Sequence, residues 1–195
     1  MAGLRSDEAH TTRTFLMRDL FLAAPDFEAM LASATKHVEL WGAVWRRATV
    51  PASFVDRVTA LGGAWHLLVI SADWCGDAVN VVPVVARLAE LTPNTDLRIV
   101  ERDACPEIMN AHLTGHSRSI PIVIALDEAF VERGWWGTRP SELQQWVLGE
   151  GRQLEKSERY RQMRAWYARD RGVTILEEVV SMMEQGHRQI AGARS

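Results

Sequence analysis

One cysteine stands at a position where a thiol becomes reactive. Cys75 follows an apolar run, Leu67–Ser71, that is typical of a short buried strand, and it precedes a stretch from Val79 to Leu91 with apolar residues at helical spacing. A thiol at the N-terminus of a helix faces unpaired backbone N–H groups and the positive end of the helix dipole, which favour the thiolate. Acidic residues and a glycine flank Cys75, so we expect an exposed, nucleophilic thiol rather than a buried and inert one.

Two neighbours of Cys75 would modify its chemistry. Asp77 complements the helix dipole, but its negative charge opposes thiolate formation, so the sequence does not fix the size of the pKa shift. Trp74 has two interpretations that the sequence leaves open. It either flanks the thiol as an apolar platform for the disulfide or peptide of a partner, or it belongs to the core.

A β-α-β unit is predicted to position Cys75. Its first strand begins at His66, its helix runs from Gly76 to Leu91, and its second strand spans Asp96–Arg102. Pro83 removes one backbone hydrogen bond inside the helix, which should kink the axis. Such a unit crosses over right-handedly and pairs its two strands in parallel.

A hairpin and a helix complete the predicted sheet. Pro121–Leu126 and Phe130–Trp136 are typical of two antiparallel strands joined by a short turn, and a helix from Pro140 to Leu148 follows. A short helix over Pro106–Leu113 connects the β-α-β unit with this hairpin.

Helices are predicted before the first strand. Residues 1–12 are polar and expected to be frayed, and helices follow over Thr14–Leu22, Phe27–Arg47 and Pro51–Leu61. The second of these helices would dock on the core through one apolar and aromatic face, which consists of Phe27, Met30, Leu31, Ala34, His37, Val38, Trp41 and Trp45.

Two more helices are predicted after the sheet. A long charged helix spans Arg152–Asp170 and Gly172 ends it. Thr174–Glu177 has the pattern of a capping box, which is typical of the start of a further helix.

Two motifs resemble the active-site segments of thioredoxin-fold proteins. Ala72–Ala78 is similar to the Trp-Cys-Gly-x-Cys that follows a hydrophobic strand in these proteins, and Ser119–Val123 matches their Ile-Pro before a core strand. Tyr160–Asp170 also resembles the tail of a poorly characterised bacterial thioredoxin-like family that favours Trp-Cys-Gly-Asp.

The resemblance implies a fold and an organisation of the chain. The fold would be a thioredoxin-like α/β fold, which consists of the β-α-β unit, a β-hairpin and a helix and contains a cis proline, with additional N- and C-terminal helices. The thioredoxin-like domain would span residues 63–150, with helical extensions over 1–62 and 151–195.

The sequence departs from the thioredoxin pattern at two positions. Ala78 replaces the second, resolving cysteine, and Val69 replaces the buried acid that thioredoxins place six residues before the first cysteine. A dithiol enzyme resolves its mixed disulfide with the second thiol, so that internal step is missing here. The resemblance therefore implies monothiol thiol–disulfide exchange, in which an external thiol releases the mixed disulfide. The alternatives are a redox-inactive binding module for a protein or peptide, and a structural protein that dimerises through its helices.

The resemblance also implies the site residues. Cys75 would be catalytic, and the substrate-binding residues would be Trp74, Gly76, Asp77, Ile120 and Pro121. A cis bond before Pro121 would leave neighbouring backbone groups free to pair with an extended substrate, whereas the alternative is a trans proline at the first residue of a strand.

Cys105 is a candidate resolving thiol. It follows the second parallel strand, so it is predicted at the same carboxyl-end edge of the sheet as Cys75. A disulfide between them would need Cα atoms within about 7 Å of each other.

The composition narrows the partners and the compartment. The 195 residues carry a net charge of −3 with no long basic run, so nucleic acid is not expected as a partner. Charged residues interrupt the N-terminus, and no apolar run is long enough to span a membrane, so we expect neither a signal peptide nor a membrane partner. Two cysteines do not make a disulfide framework, which favours a cytoplasmic protein with reduced thiols. The expected partner is a disulfide or thiol, borne by a protein or a small molecule.

No cofactor and no metal are expected. His112 and His116 are four residues apart, but no carboxylate or cysteine pair accompanies them. Trp135–Pro140 either frames a recognition groove in which Arg139 pairs with a carboxylate, or forms a buried aromatic strand end.

Overall fold

The computed structural model describes the backbone of residues 2–193 and the side chains of residues 11–192. The helices are α1 (Ala2–Ala23), α2 (Phe27–Ser33), α3 (Val38–Arg47), α4 (Ala52–Thr59), α5 (Gly76–Leu91), α6 (Pro106–Ala111), α7 (Ser141–Leu148), α8 (Lys156–Asp170) and α9 (Val173–Ala193). The strands are β1 (Trp65–Ser71), β2 (Thr95–Glu101), β3 (Ile122–Leu126) and β4 (Glu132–Gly137), and a 3₁₀ turn spans Glu150–Gln153. No helix within the described residues is both long and apolar enough to cross a membrane.

The four strands form one mixed sheet in the order β2-β1-β3-β4. β1 pairs with β2 in parallel, with Trp65 opposite Thr95, and with β3 antiparallel, with His66 opposite Leu126. β3 and β4 form an antiparallel hairpin with an irregularity at Ala125/Leu126. The predicted β-α-β unit, hairpin and α/β thioredoxin-like fold are therefore confirmed, with the strand ends within two residues of the predicted ones.

Both faces of the sheet are covered. The evidence is that β1 is an interior strand and that six of its seven residues are buried. Side chains alternate between the two faces along a strand, so a buried strand needs cover on each face. Here α5 and α9 cover one face and α1 covers the other. Five residues of α9 are fully buried in the core: Ile175, Leu176, Val179, Val180 and Met183. The last helix, predicted as part of an extension, thus shares the core of the sheet.

The turn between α8 and α9 fits closely against α5. Gly172 has a φ of +85°, and a Cβ at this position would lie 2.8 Å from the Cγ atoms of Val84. Only glycine combines this backbone conformation with so close an approach. The carboxylate of Asp170 accepts hydrogen bonds from the backbone N–H groups of Gly172 and Thr174. The predicted capping box at Thr174–Glu177 is therefore wrong, since the earlier Asp170 provides the capping oxygen.

The predicted helix over Phe27–Arg47 is wrong in its middle. The structure has two helices, α2 and α3, and the segment between them turns through His37 at a φ of +53°. The cause lies elsewhere in the chain, because the carboxylate of Asp73 accepts hydrogen bonds from the backbone N–H groups of Thr35 at 2.8 Å and Lys36 at 3.0 Å. The predicted single apolar face does not form, and Val38 is exposed while Trp41 is fully buried.

Two other predictions at the ends need correction. Residues 2–12, expected to be frayed, belong to helix α1, and residue 1 lies outside the described residues. The predicted helix over Arg152–Asp170 is interrupted, since the 3₁₀ turn at Glu150–Gln153 precedes α8, which begins at Lys156.

Candidate functional site

Cys75 lies at the N-cap of α5, opposite the loop that precedes β3. Its Sγ donates a hydrogen bond of 3.4 Å to the backbone oxygen of Ile120, and the Ile120–Pro121 peptide bond is cis. The structure thus brings Cys75, Ile120 and Pro121 together and confirms the cis proline.

The thiol is less accessible than the sequence predicts. Cys75 is 8% exposed, so the expectation of an exposed thiol is wrong. Burial raises the pKa of the thiol, and the negative charge of Asp77 adds to this shift. The backbone N–H groups of Ala78 and Asp77 and the charge of Arg139 act in the opposite direction, but burial prevails. At neutral pH the protonated thiol, which donates to Ile120, is therefore the dominant form.

A cavity of about 550 Å³ opens above the thiol. Of the predicted substrate-binding residues, Trp74, Gly76, Asp77 and Ile120 line it, and Pro121 does not. Trp74 is 46% exposed, and the Cζ of Arg102 lies 4.8 Å from the centre of its ring. The structure therefore favours the exposed platform over a core tryptophan.

Asp77 anchors a buried ion pair beside the thiol. Its Oδ2 lies 2.6 Å from Nη2 of Arg139, and the hydroxyl of Tyr167 donates to its Oδ1 at 2.9 Å. Burial lowers the pKa of Arg139, but the charge of Asp77 outweighs it and the net shift is upward. Burial raises the pKa of Tyr167, which keeps the hydroxyl protonated as a donor. The carboxylate that pairs with Arg139 is thus that of Asp77 in the same chain, and not one borne by a ligand.

Sequence reasoning missed the walls of the cavity. His37 and Leu40 form one side, and α8 forms the other with Lys156, Tyr160, Met163, Arg164 and Tyr167. These α8 residues recur three to four positions apart, so the helical face itself was readable in the sequence. What the sequence could not show is that this face turns toward Cys75.

Cys105 does not belong to this cavity. It is half-buried at the N-cap of α6 and lines a separate small cavity with Leu20, Leu68 and Ile70 on the α1 side of the sheet. Both cysteines are free thiols. The structure thus does not bring the candidate resolving thiol to the site of Cys75.

His112 belongs to a second, separate cluster. It is fully buried, with Nδ1 2.6 Å from the backbone oxygen of Ile108 and Nε2 3.1 Å from Oε1 of Glu132. Arg13 donates to the other oxygen of Glu132 at 2.7 Å. This arrangement ties α1 and α6 to β4. Within the described residues no group of three or more His, Cys, Asp or Glu side chains is placed to hold a metal ion.

A thiol at the start of a helix, facing a cis proline at the edge of a mixed four-stranded sheet, characterises thioredoxin-like proteins. A family model described as thioredoxin matches residues 24–183, and the chain belongs to this family. The match extends from α2 into α9, beyond both predicted limits of the domain.

Two solved structures share the fold. One is a Pseudomonas aeruginosa protein of unknown function, with a TM-score of 0.66 and 24% identity over 85% of this chain and 95% of its own. The other is an HIV epitope scaffold, with a TM-score of 0.66 and 21% identity over 86% of this chain and 96% of its own. No curated protein matches the chain.

Proposed function

We propose that the protein carries out monothiol thiol–disulfide exchange through Cys75. The observation that carries this proposal is the placement of the free Sγ at the base of the cavity, 3.4 Å from the backbone oxygen of Ile120. A substrate sulfur that enters the cavity meets the thiol beside the cis proline and the exposed face of Trp74. From the composition we also propose a cytoplasmic location, a disulfide or thiol as the partner, and neither nucleic acid nor a membrane as a partner. The resemblance of Tyr160–Asp170 to a bacterial family favours a bacterial origin.

The reaction has three exchange steps, two of which involve Cys75. The Cys75 thiol loses its proton to solvent, and the thiolate attacks one sulfur of a disulfide, so that one S–S bond forms as another breaks and the leaving thiolate takes up a proton. A low-molecular-weight thiol then attacks the substrate sulfur of the mixed disulfide and releases Cys75. A second molecule of that thiol completes the reduction, so two external thiols are oxidised to one disulfide while one substrate disulfide becomes two thiols.

The surroundings of the thiol assign roles to its neighbours. Loss of the proton from Cys75 frees the backbone oxygen of Ile120 to accept a hydrogen bond from a substrate amide. The backbone N–H groups of Asp77 and Ala78 stabilise the thiolate that forms at the start of α5. Asp77 opposes it electrostatically, but the pairing with Arg139 partly neutralises that charge.

The direct test follows the mixed disulfide by mass spectrometry. The Cys105→Ala variant, incubated with a small disulfide, should form one adduct at Cys75, and Cys75→Ser combined with Cys105→Ala should form none. Because the pKa of Cys75 is raised, the adduct rate should increase as the pH rises beyond the ordinary thiol pKa of about 8.5. Absence of any adduct at alkaline pH, in protein that is folded by circular dichroism, contradicts the proposal.

A redox-inactive binding module is the second candidate. The 8% exposure of Cys75 and its raised pKa favour it, because both reduce the reactivity of the thiol at neutral pH. Under this alternative, Cys75→Ser retains the binding of a partner and the wild-type protein accelerates no exchange. Turnover of a disulfide that depends on Cys75 rejects it.

A further inference from the structure

The cavity above Cys75 has an excess of positive charge. Five cationic side chains line it, namely Arg102, Arg118, Arg139, Lys156 and Arg164. Asp77 is the one carboxylate among its described lining residues. The charged groups that a ligand meets in this space are therefore mainly cations.

Local ion pairs neutralise only part of this charge. Asp77 neutralises Arg139. Arg102 and Arg118 share a single carboxylate, that of Asp103, at 2.8 Å and 3.4 Å respectively.

The two cations of α8 remain uncompensated. Lys156 and Arg164 lie on the wall formed by α8, two helical turns apart, and neither has an ion-pair partner among the residues that the structure describes. Glu155 lines a neighbouring shallow cavity without pairing with either of them. The positive excess thus comes from the α8 pair and from Arg102 and Arg118, which line the same cavity as the thiol.

The shape of the cavity selects for a small ligand. Its volume of about 550 Å³ lies within the range of roughly 300–1,000 Å³ that is typical of small-molecule sites. Cys75 is nearly buried at its base, and helices that do not belong to the β-α-β unit wall it on two sides. A disulfide on the surface of a folded protein would have to pass between these walls to reach Sγ.

We propose that the substrate of Cys75 is a low-molecular-weight disulfide that bears carboxylates, which Lys156 and Arg164 bind together with Arg102 and Arg118. This inference deepens the proposed function and rests on it for the chemistry, but the recognition of the anion is a separate property. Guanidinium groups pair with carboxylates through two parallel hydrogen bonds, which fixes the orientation of the ligand as well as its charge.

The test compares three disulfides of similar size and different charge. Dithiodipropionate is a dianion, bis(hydroxyethyl) disulfide is neutral and cystamine is a dication. With the Cys105→Ala protein at low ionic strength, the rate of adduct formation at Cys75 should be about ten-fold higher for the dianion than for the neutral disulfide, and lowest for the dication. The rates are divided by those of a free small thiol at the same pH, which removes the intrinsic reactivity of each disulfide. The preference should shrink as salt is added.

Matched variants locate the source of the preference. Lys156→Gln combined with Arg164→Gln should reduce the ten-fold preference to about two-fold. The preference is a ratio of two rates measured on the same variant, so a general change in the reactivity of Cys75 cancels from it. Arg161→Gln is the control, because Arg161 lies on the same helix but pairs with Glu158 and does not line the cavity. An equal rate for all three disulfides, or a preference that the double variant keeps, overturns the inference while the exchange at Cys75 stands.

A binding measurement covers the case in which no disulfide reacts. Cys75→Ser is titrated with dithiodipropionate and with bis(hydroxyethyl) disulfide by calorimetry. Binding of the dianion that Lys156→Gln/Arg164→Gln weakens several-fold supports recognition of the anion even if exchange fails, and it assigns the cavity to a binding module. No difference between the two ligands overturns the inference. Binding of an acidic peptide in place of the small dianion also overturns it, since the occupant would then be a protein segment.

Discussion

Neutralising Asp77 should change the stability of the protein and the acidity of Cys75 in opposite directions. The Asp77→Asn substitution keeps the size of the side chain but removes the charge that pairs with Arg139, which then remains largely buried without its counter-ion. Breaking a buried ion pair by removing one partner costs about 3–5 kcal/mol. Asparagine retains an acceptor for Tyr167, so we expect roughly 3 kcal/mol, or about 6–12 °C in the melting temperature of a chain of this size.

The same substitution should lower the pKa of Cys75. Asp77 raises this pKa and Arg139 lowers it, so removal of the first leaves the second unopposed. The rate of alkylation should therefore begin to rise at a lower pH than in the wild type. Burial still raises the pKa, so this part of the shift remains. The assay is the rate of alkylation against pH in the Cys105→Ala background, beside unfolding in urea.

Arg139→Gln provides the matched control for Asp77→Asn. It should also destabilise the protein, but it should raise the pKa of Cys75, since the favourable charge is lost and that of Asp77 remains. The double variant should recover part of the stability, because neither charge is then left alone. The reasoning is refuted if the alkylation profile of Asp77→Asn moves to higher pH, or if the two single losses of stability simply add.

Three further predictions concern the stability of the fold. Burial raises the pKa of Glu132, but His112 and Arg13 together hold it below its usual range. Glu132 therefore stabilises the fold above about pH 4.5, and this contribution is lost as the pH falls through the lowered pKa. Glu132→Gln should flatten the acid limb of a curve of unfolding free energy against pH, and an unchanged limb contradicts this. Gly172→Ala should cost about 1–3 kcal/mol in urea unfolding, since its Cβ would contact α5 at 2.8 Å, whereas Gly192→Ala, with nothing within 4 Å, should be neutral or stabilising. Trp41→Phe removes the 3.0 Å hydrogen bond from Nε1 to the backbone oxygen of Asp73 and should lower the free energy of unfolding by about 1–2 kcal/mol. Backbone amide hydrogens at residues 73–75 should also exchange faster, and unaltered exchange there would show that Trp41 does not hold the turn.

The elements that sequence patterns predicted are those that local rules determine. β1, α5 and β2 follow from an apolar run, a helical period and an alternating run, and the motifs around Cys75 and Pro121 indicated the thioredoxin-like fold to which they belong. The break between α2 and α3 was not predictable in this way. It depends on Asp73, which lies 38 residues from Thr35, so no local pattern contains it.

The accessibility of Cys75 was mispredicted for the same reason. Its neighbours in sequence are polar, and the N-terminus of a helix is ordinarily exposed to solvent. Residues of α8 and of the segment around His37, each distant in sequence, line the cavity in which the thiol lies. Burial then reverses the pKa shift that the helix N-terminus alone would give.

The two aspartates of the Asp-Trp-Cys-Gly-Asp segment explain how distant helices come to form the site. Asp73 accepts the backbone N–H groups of Thr35 and Lys36 and thereby fixes the N-terminal wall, while Asp77 accepts the hydroxyl of Tyr167 and thereby fixes α8. Each aspartate thus ties one appended segment to the turn that carries Cys75. The segments that distinguish this chain from a minimal thioredoxin fold therefore line the same cavity as the thiol. If the turn carries the exchange chemistry and these walls select the substrate, variants of Lys156 and Arg164 should change which disulfide reacts but not the mechanism of exchange.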